Sequence, residues 1–303
     1  MNFHTPRALA LCTMTALLAA CSQPDMAVPQ AVLPDAPEPT TFTRAYSMTE
    51  NADGTIRVFA QEDGDHTYLY EMRRSGQVWS EPAKLDFPTK ISLTTPSFSF
   101  HDGMLYYASD VDLPGREGRK DLNLWRVALA DGVWETPEYL PLDIINTGAN
   151  ESSPAMSADG TLFFSTNHAR AGGGGYDIMS ARENAPGEWD VQTMPSFVND
   201  FRVDSHLAIT PDGARLFFYS HRQPSLGSVD IWMTEADGAG SWQQPRNLGA
   251  PVNSDQIDFG AGLSGDAKTF FFSRNGRLME VSMDTALAHV NQAPQGPTDN
   301  PAP

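Results

Sequence analysis

Between residues 42 and 284 the apolar positions come in short runs broken by Gly, Pro, Asp and Ser, and no stretch holds the 3.6-residue period of a helix. The runs recur in a fixed order. A turn followed by a strand-like run appears five times: ADGTIRVFA (52–60), HDGMLYYAS (101–109), ADGTLFFST (158–166), PDGARLFFYS (211–220) and GDAKTFFFS (265–273). A second run follows each: TYLYEM (67–72), LNLWRV (122–127), YDIMSA (176–181), VDIWMT (229–234) and RLMEVS (277–282). In four units a turn and a tryptophan come next, at Trp79, Trp134, Trp189 and Trp242. The unit is about 53 residues long and has no Trp in its fifth copy.

Each unit predicts four strands: one ahead of the Asp-Gly turn, one after it, the DIW-like run, and one beginning at the Trp. Asp-Gly favours a tight hairpin, because Gly accepts positive φ and Asp bonds the local backbone. Runs such as LFF and FFF are dense enough in apolar residues to be buried on both faces. Four-stranded units repeated around a ring are the blades of a propeller. The expected fold is therefore all-β, a five-bladed β-propeller over 42–284, with the tryptophans packed between blades. The fifth copy needs a closing strand. Ala286–Asn291 is expected to supply it through a short hairpin near Asp284, with Val28–Leu33 as the competing segment.

The flanks differ. Ala8–Ala20 is a short, nearly uncharged apolar run after a weakly basic start at His4 and Arg7, too short for a comfortable membrane span. It ends in Leu18-Ala19-Ala20-Cys21. Residues 21–41 are rich in proline and read as a tether; 285–303 read as the closing strand and a disordered tail.

Leu18–Cys21 resembles a lipobox, the processing signal of bacterial lipoproteins. That implies a signal peptide over 1–20, cleavage before Cys21, and acylation of Cys21 as a membrane anchor. Ser22 after the cysteine departs from the inner-membrane-retaining Asp of some lipoproteins, which points to the outer membrane. The units ESSPAMSADGTLFFSTNHARAGGGGYDI (151–178) and SHLAITPDGARLFFYSHRQPSLGSVDI (205–231) resemble the WD40-like PD40 repeat of TolB-type propellers. In the second unit Asn123 replaces the Asp of DIW, and Ala267 replaces the turn Gly of the fifth. The family implies the fold but no single activity.

Composition narrows the partners. The chain has 38 acidic and 20 basic residues, a formal net charge of −18. Such a surface repels nucleic acid and anionic lipid. The two cysteines, Cys12 and Cys21, fall in the signal and at the anchor, so the expected mature protein forms no internal disulfide.

Candidate chemistry is sparse. Asn and an acid recur five residues apart ahead of three blades: Asn146/Glu151, Asn199/Asp204 and Asn253/Asp258. At the start of inner strands these would bring three carboxylates toward the axis, as a site for calcium or sugar hydroxyls at the channel mouth. The alternative is that each pair caps its own blade-to-blade loop. The loop DVDLPGREGRKD (110–121) has acids in partial EF-hand spacing, but Pro114 and three cations make it a blade loop. Gly172–Gly175 lacks the residues of a phosphate loop. No HExxH or GxSxG occurs. The function read from this is a lipid-anchored envelope scaffold binding a protein or polysaccharide. A glycan hydrolase or lyase using the acid ring, or a calcium-dependent carbohydrate-binding module, remains the alternative.

Overall fold

The computed structural model describes residues 27–32, 44–169, 175–237 and 240–291. The expected signal peptide, Cys21, most of the expected tether and the residues beyond 291 lie outside them. The described chain forms a five-bladed β-propeller. The inner strands are Ala45–Glu50, Leu93–Phe98, Glu151–Met156, Asp204–Ile209 and Asp258–Leu263. Each packs between its two neighbours around the ring, the fifth against the first. Each starts an antiparallel meander whose second and third strands carry the turn-strand and DIW-like runs.

The third residue of every inner strand has positive φ: Ser47, Thr95, Ser153, His206 and Gly260. The ladder slips at each of these points, a β-bulge that bends the strand where five strands crowd one axis. At Gly260 a side chain is also excluded by space, since a Cβ there would lie 2.9 Å from the Ser47 nitrogen.

Alternation along the second strands fills the gaps between blades. Phe270 and Phe272 point into the gap between blades four and five, and Phe271 into the gap between five and one. Phe217 faces the first of these, while Leu216 and Phe218 face the gap between three and four. Five hydrophobic clusters result, one in each gap. This is why these strands read as unbroken apolar runs.

Each tryptophan closes the gap behind its own blade. Trp79 packs into the gap between blades five and one, where the Arg57 guanidinium lies 4.6 Å from its ring and 4.8 Å from that of Phe271. Trp134 packs between one and two, edge-on to Phe87, with its indole N–H donating to Glu71 at 2.9 Å. Trp189 and Trp242 serve the next two gaps. All four are half-buried. Only Trp189 begins a long outer strand, Glu188–Thr193. The outer strands of blades one, two and four are the two-residue pieces Ala83–Lys84, Glu138–Tyr139 and Arg246–Asn247.

Ring closure differs from the expectation. The outer strand of blade five is Gln30–Ala31, antiparallel to Arg277–Ser282 with Gln30 opposite Glu280. The Val32 N–H adds a bond to Leu278 O at 3.0 Å, and Val32 itself packs into the gap between blades five and one. The C-terminal segment is a helix, Met283–Leu287. Ser282 caps it by accepting from Thr285 N–H at 3.1 Å, with Asp284 in the first turn, so the chain leaves the third strand as helix before a hairpin can form. Ala286, Leu287 and Val290 then enter the gap between blades four and five. That is the one gap with no tryptophan, because the fifth repeat lacks one.

Leu287→Ala is accordingly expected to cost about 2–5 kcal/mol, the range for truncating a buried leucine. Denaturant melts check this. A cost below about 1 kcal/mol would mean that the helix does not fill the gap.

Candidate functional site

The three Asn/acid pairs sit where the chain enters blades three, four and five, and each works within its own loop. The Asn side chains act as surrogate peptides. Asn146 accepts from Leu124 N–H at 2.6 Å and donates to Leu124 O at 3.0 Å. Asn199 does the same with Ile178 at 2.8 and 2.9 Å, and Asn253 with Ile231 at 2.9 and 2.8 Å. Leu124, Ile178 and Ile231 are buried third-strand residues. Their amides need partners in the interior, and a side-chain amide supplies both donor and acceptor.

Glu151, Asp204 and Asp258 are fully buried at the first position of their inner strands. Each accepts a loop N–H from four residues back: Thr147 at 3.0 Å, Asp200 at 2.9 Å and Ser254 at 2.7 Å. Hydroxyls of Thr166 and Ser254 add to the first and last. Arg222 donates to Asp204 and Arg274 to Asp258, both at 2.7 Å. The same guanidiniums take the loop carbonyls of Val198 and of Pro251 and Val252. Burial pushes the Asp204 carboxyl up to about 6, although Arg222 and the Asp200 N–H pull it back. The carboxylates are thus spread over three loops as backbone caps. Among the described residues no three His, Cys, Asp or Glu side chains come together as a metal donor set. This is the loop-cap arrangement, with each acid bonded within its own loop.

Several partners in this module were not legible in the repeat. Blades one and two have Ala45 and Leu93 at the acid position. In blade two, Asp110 reaches across from the end of the second strand to accept from Lys90 N–H at 2.9 Å, Ile91 N–H at 3.0 Å and the Thr89 hydroxyl. Arg116, from the same loop, holds the Asn146 and Thr147 carbonyls and pairs with Asp143 at 2.7 Å. It holds carbonyls of the blade-three loop as Arg222 holds that of Val198 in blade four, but its carboxylate partner is Asp143 and not the buried Glu151. The acids and arginines of the run 110–121 are mostly engaged in holding loops.

The axis is filled by side chains. Ser47 Oγ lies 3.0 Å from His206 Nδ1, Ser153 Oγ lies 2.9 Å from Ser205 Oγ, and Ser153 N–H donates to Thr95 Oγ1 at 3.0 Å. At the Asp-Gly-turn end, among Thr49, Phe98, Met156, Ile209 and Leu263, a cavity of only about 10 Å³ remains, room for about one water. His206 stands among the rings of Tyr46, Tyr219 and Phe259 at 5.1–5.5 Å. Burial, and then the Arg44 charge, push its pKa down to about 4, so the imidazole is neutral near pH 7.

The loop face, where chains enter the inner strands, is different. Phe201 is 74 % exposed, Leu226 54 % and Ile257 39 %. They follow one another along the rim of blades four and five. Arg202 stacks over the Phe201 ring at 4.8 Å and bonds the His221 carbonyl. The loop carrying Leu226 lies against the next: a Cβ on Gly227 would fall 1.9 Å from Gln256 O, and Val229 bridges to Ile257. Ile257 occupies the position that Val203 has one blade earlier, directly ahead of the inner-strand acid, whereas Leu226 sits in a loop whose sequence differs from blade to blade.

No family model matches the chain, and no curated protein matches it in sequence. Solved structures do share its fold. The protein BT0996, solved as a complex with RGII, is 9 % identical, with 84 % of this chain covering 90 % of that one at a TM-score of 0.54. The endo-arabinase from Bacteroides thetaiotaomicron is 12 % identical over 79 % of this chain and 94 % of its own, TM-score 0.52. TolB from Acinetobacter baumannii is 11 % identical over 78 % of this chain, TM-score 0.47, and the chain spans 54 % of that structure. At these identities the likeness is one of fold: the chain is an all-β five-bladed propeller.

The axial histidine makes stability depend on pH. An unfolded histidine takes up its proton near 6.5, whereas His206 in the fold resists until about 4. Its contribution is therefore full above about pH 6.5 and falls as pH drops toward 4. Asp204, raised to about 6, acts in the opposite sense, losing its contribution as pH rises through that value. It is common to both proteins when wild type is compared with His206→Gln. Melting temperatures from pH 7 to 4 are expected to fall more steeply for wild type. Parallel curves would show that the imidazole protonates freely in the ring.

Proposed function

We propose that the protein is a lipid-anchored scaffold of the cell envelope that docks a protein partner on the loop face of its propeller. The observation that carries this is the contrast between axis and rim. The axis is packed with hydrogen-bonded hydroxyls, while Phe201, Leu226 and Ile257 stand exposed on one stretch of rim, beside Arg202. Isolated surface apolar residues need no explanation, but a rim that gathers aromatic, aliphatic and arginine side chains has the composition of an interface.

The anchor reading rests on Leu18–Cys21 and places the propeller on a short leash. Eight residues separate Cys21 from Gln30, a reach of at most ~30 Å for an extended chain. Because Gln30 is already part of blade five, that blade's edge stays near the lipid. Among the described residues no helix is long and apolar enough to cross a membrane. Ser22 favours the outer membrane as destination.

Two measurements test the reading. Cys21→Ser is expected to abolish acylation and leave the precursor unprocessed, as read by mass spectrometry of the N-terminus. An unmodified terminus at another position in the wild type would remove the anchor. A photo-crosslinking residue at position 201 or 226 is expected to capture one discrete partner in intact cells, and the same residue at position 102, on the opposite face, is not. Equal capture from both faces would overturn the assignment of the docking surface.

A further inference from the structure

The loop face carries a second feature, away from the apolar rim. An open groove of about 620 Å³ runs between the loop of blade two and the start of blade three, lined by Arg119, Lys120, Asp121, Gly148, Asn150 and Asn167, with Ala149 its single apolar residue. It is shallow and open, a surface for a chain-like ligand rather than an enclosed pocket. Its chemistry is one-sided. Asn150 uses its side-chain oxygen to accept Leu122 N–H at 2.9 Å, and Asn167 uses its own to accept Asn150 N–H at 2.9 Å. Both amides are thereby fixed in orientation, and the NH₂ group of each is left for the groove. Lys120 adds an exposed ammonium. Arg119 adds a half-exposed guanidinium, tied to Asp121 Oδ1 at 2.8 Å and to Gly148 O. In a protein of net charge −18 this groove presents mostly donors and two cations.

One acceptor is placed differently. Asp121 has a side chain 9 % exposed, and its second carboxylate oxygen is buried without a partner. An unsatisfied buried carboxylate oxygen is costly and calls for a donor. A ligand that matches the lining brings an anionic acceptor for Lys120 and the two amides, together with hydroxyl groups that donate and accept along an otherwise polar wall. Uronic acids carry both on one ring. The lack of an apolar subpocket disfavours a peptide side chain.

From this we infer that the groove between blades two and three binds a carboxylate-bearing polysaccharide of the uronate class. The residues are separate from Phe201, Leu226 and Ile257, so this site and the docking rim stand or fall independently.

The test is calorimetric titration of the full propeller, as a soluble protein starting at Ser22, with trigalacturonate and with its methyl ester. The acid is expected to bind, and the ester at least fivefold more weakly, since esterification removes the charge that Lys120 recognises. Asn167→Asp keeps the oxygen that holds Asn150 N–H and replaces the groove-facing NH₂ by a carboxylate oxygen. It is expected to weaken binding at least tenfold with an unchanged melting temperature. Lys120→Ala is expected to weaken it at least fivefold, and Lys268→Ala, on the opposite face, to leave it unchanged. Absence of binding at millimolar trigalacturonate overturns the inference, as do equal affinities for acid and ester. Wild-type affinity in both groove variants would also overturn it. A triglutamate peptide binding as tightly would reassign the groove to acidic protein segments. Crosslinking from position 201 reads the docking rim and is expected to be unaffected by Asn167→Asp.

Discussion

Everything in this fold depends on filling five gaps between sheets that are apolar on both faces. A blade alone leaves both faces wet. Set in a ring, each face meets the next blade, and the remaining wedge near the rim must be stopped by something large. Four times the chain uses the tryptophan after its third strand, turned back onto the preceding blade. The fifth wedge receives a capped helix and the turn after it, whose Ala286, Leu287 and Val290 fill the volume a fifth tryptophan would have filled. The missing repeat element and the added helix are one fact. A ring cannot tolerate an unfilled gap, because buried cavities and exposed apolar surface both cost stability.

The second constraint is the backbone edge of the last blade. Drawing Gln30–Ala31 from the N-terminal segment means that blade five contains both ends of the propeller, so opening the ring requires separating strands far apart in sequence. The seam is reinforced beyond its few ladder bonds. Arg57 of blade one pairs with Glu280 of blade five at 3.1 Å while stacked between Trp79 and Phe271. If the lipid is attached at Cys21, any pull on the anchor acts at this seam.

The repeat, the blade count and the buried second strands were legible because periodicity records what a ring demands of every unit. Closure was not. Loop entropy favours Ala286–Asn291 over Val28–Leu33, but Ser282 is a helix cap, a local signal three residues ahead of Thr285 that turns the chain away from a hairpin. The Asn/acid pairs were legible as residues but ambiguous as chemistry. Their spacing is that of a loop cap, with the acid four residues after the N–H it accepts. The arginines that complete the caps were invisible, since Arg222 and Arg274 follow their acids by 18 and 16 residues and Arg116 comes from the previous blade. Contacts across the fold leave no short-range pattern.

Symmetry then separates scaffold from site. Elements that recur, the bulged inner strands, the surrogate Asn amides and the capped carboxylates, have partners within the repeat and are consumed by it. Of the elements that do not recur, the closing strand and the capped helix complete the ring, and the variable loops lie on one face. In blade two the loop after the second strand is long and rich in cations, and Asp110 and Arg116 tie it to the neighbouring loops while Lys120 is left exposed. In blade four the equivalent loop, 221–229, is shorter and sets Leu226 into solvent, beside Ile257 of the loop that enters blade five. A ring built from near-identical units offers no reason for one rim to differ so much from blade to blade. On the proposed reading the difference belongs to what the rim meets, and a loop can change there freely because the gaps and the axis, not the loops, hold the propeller together.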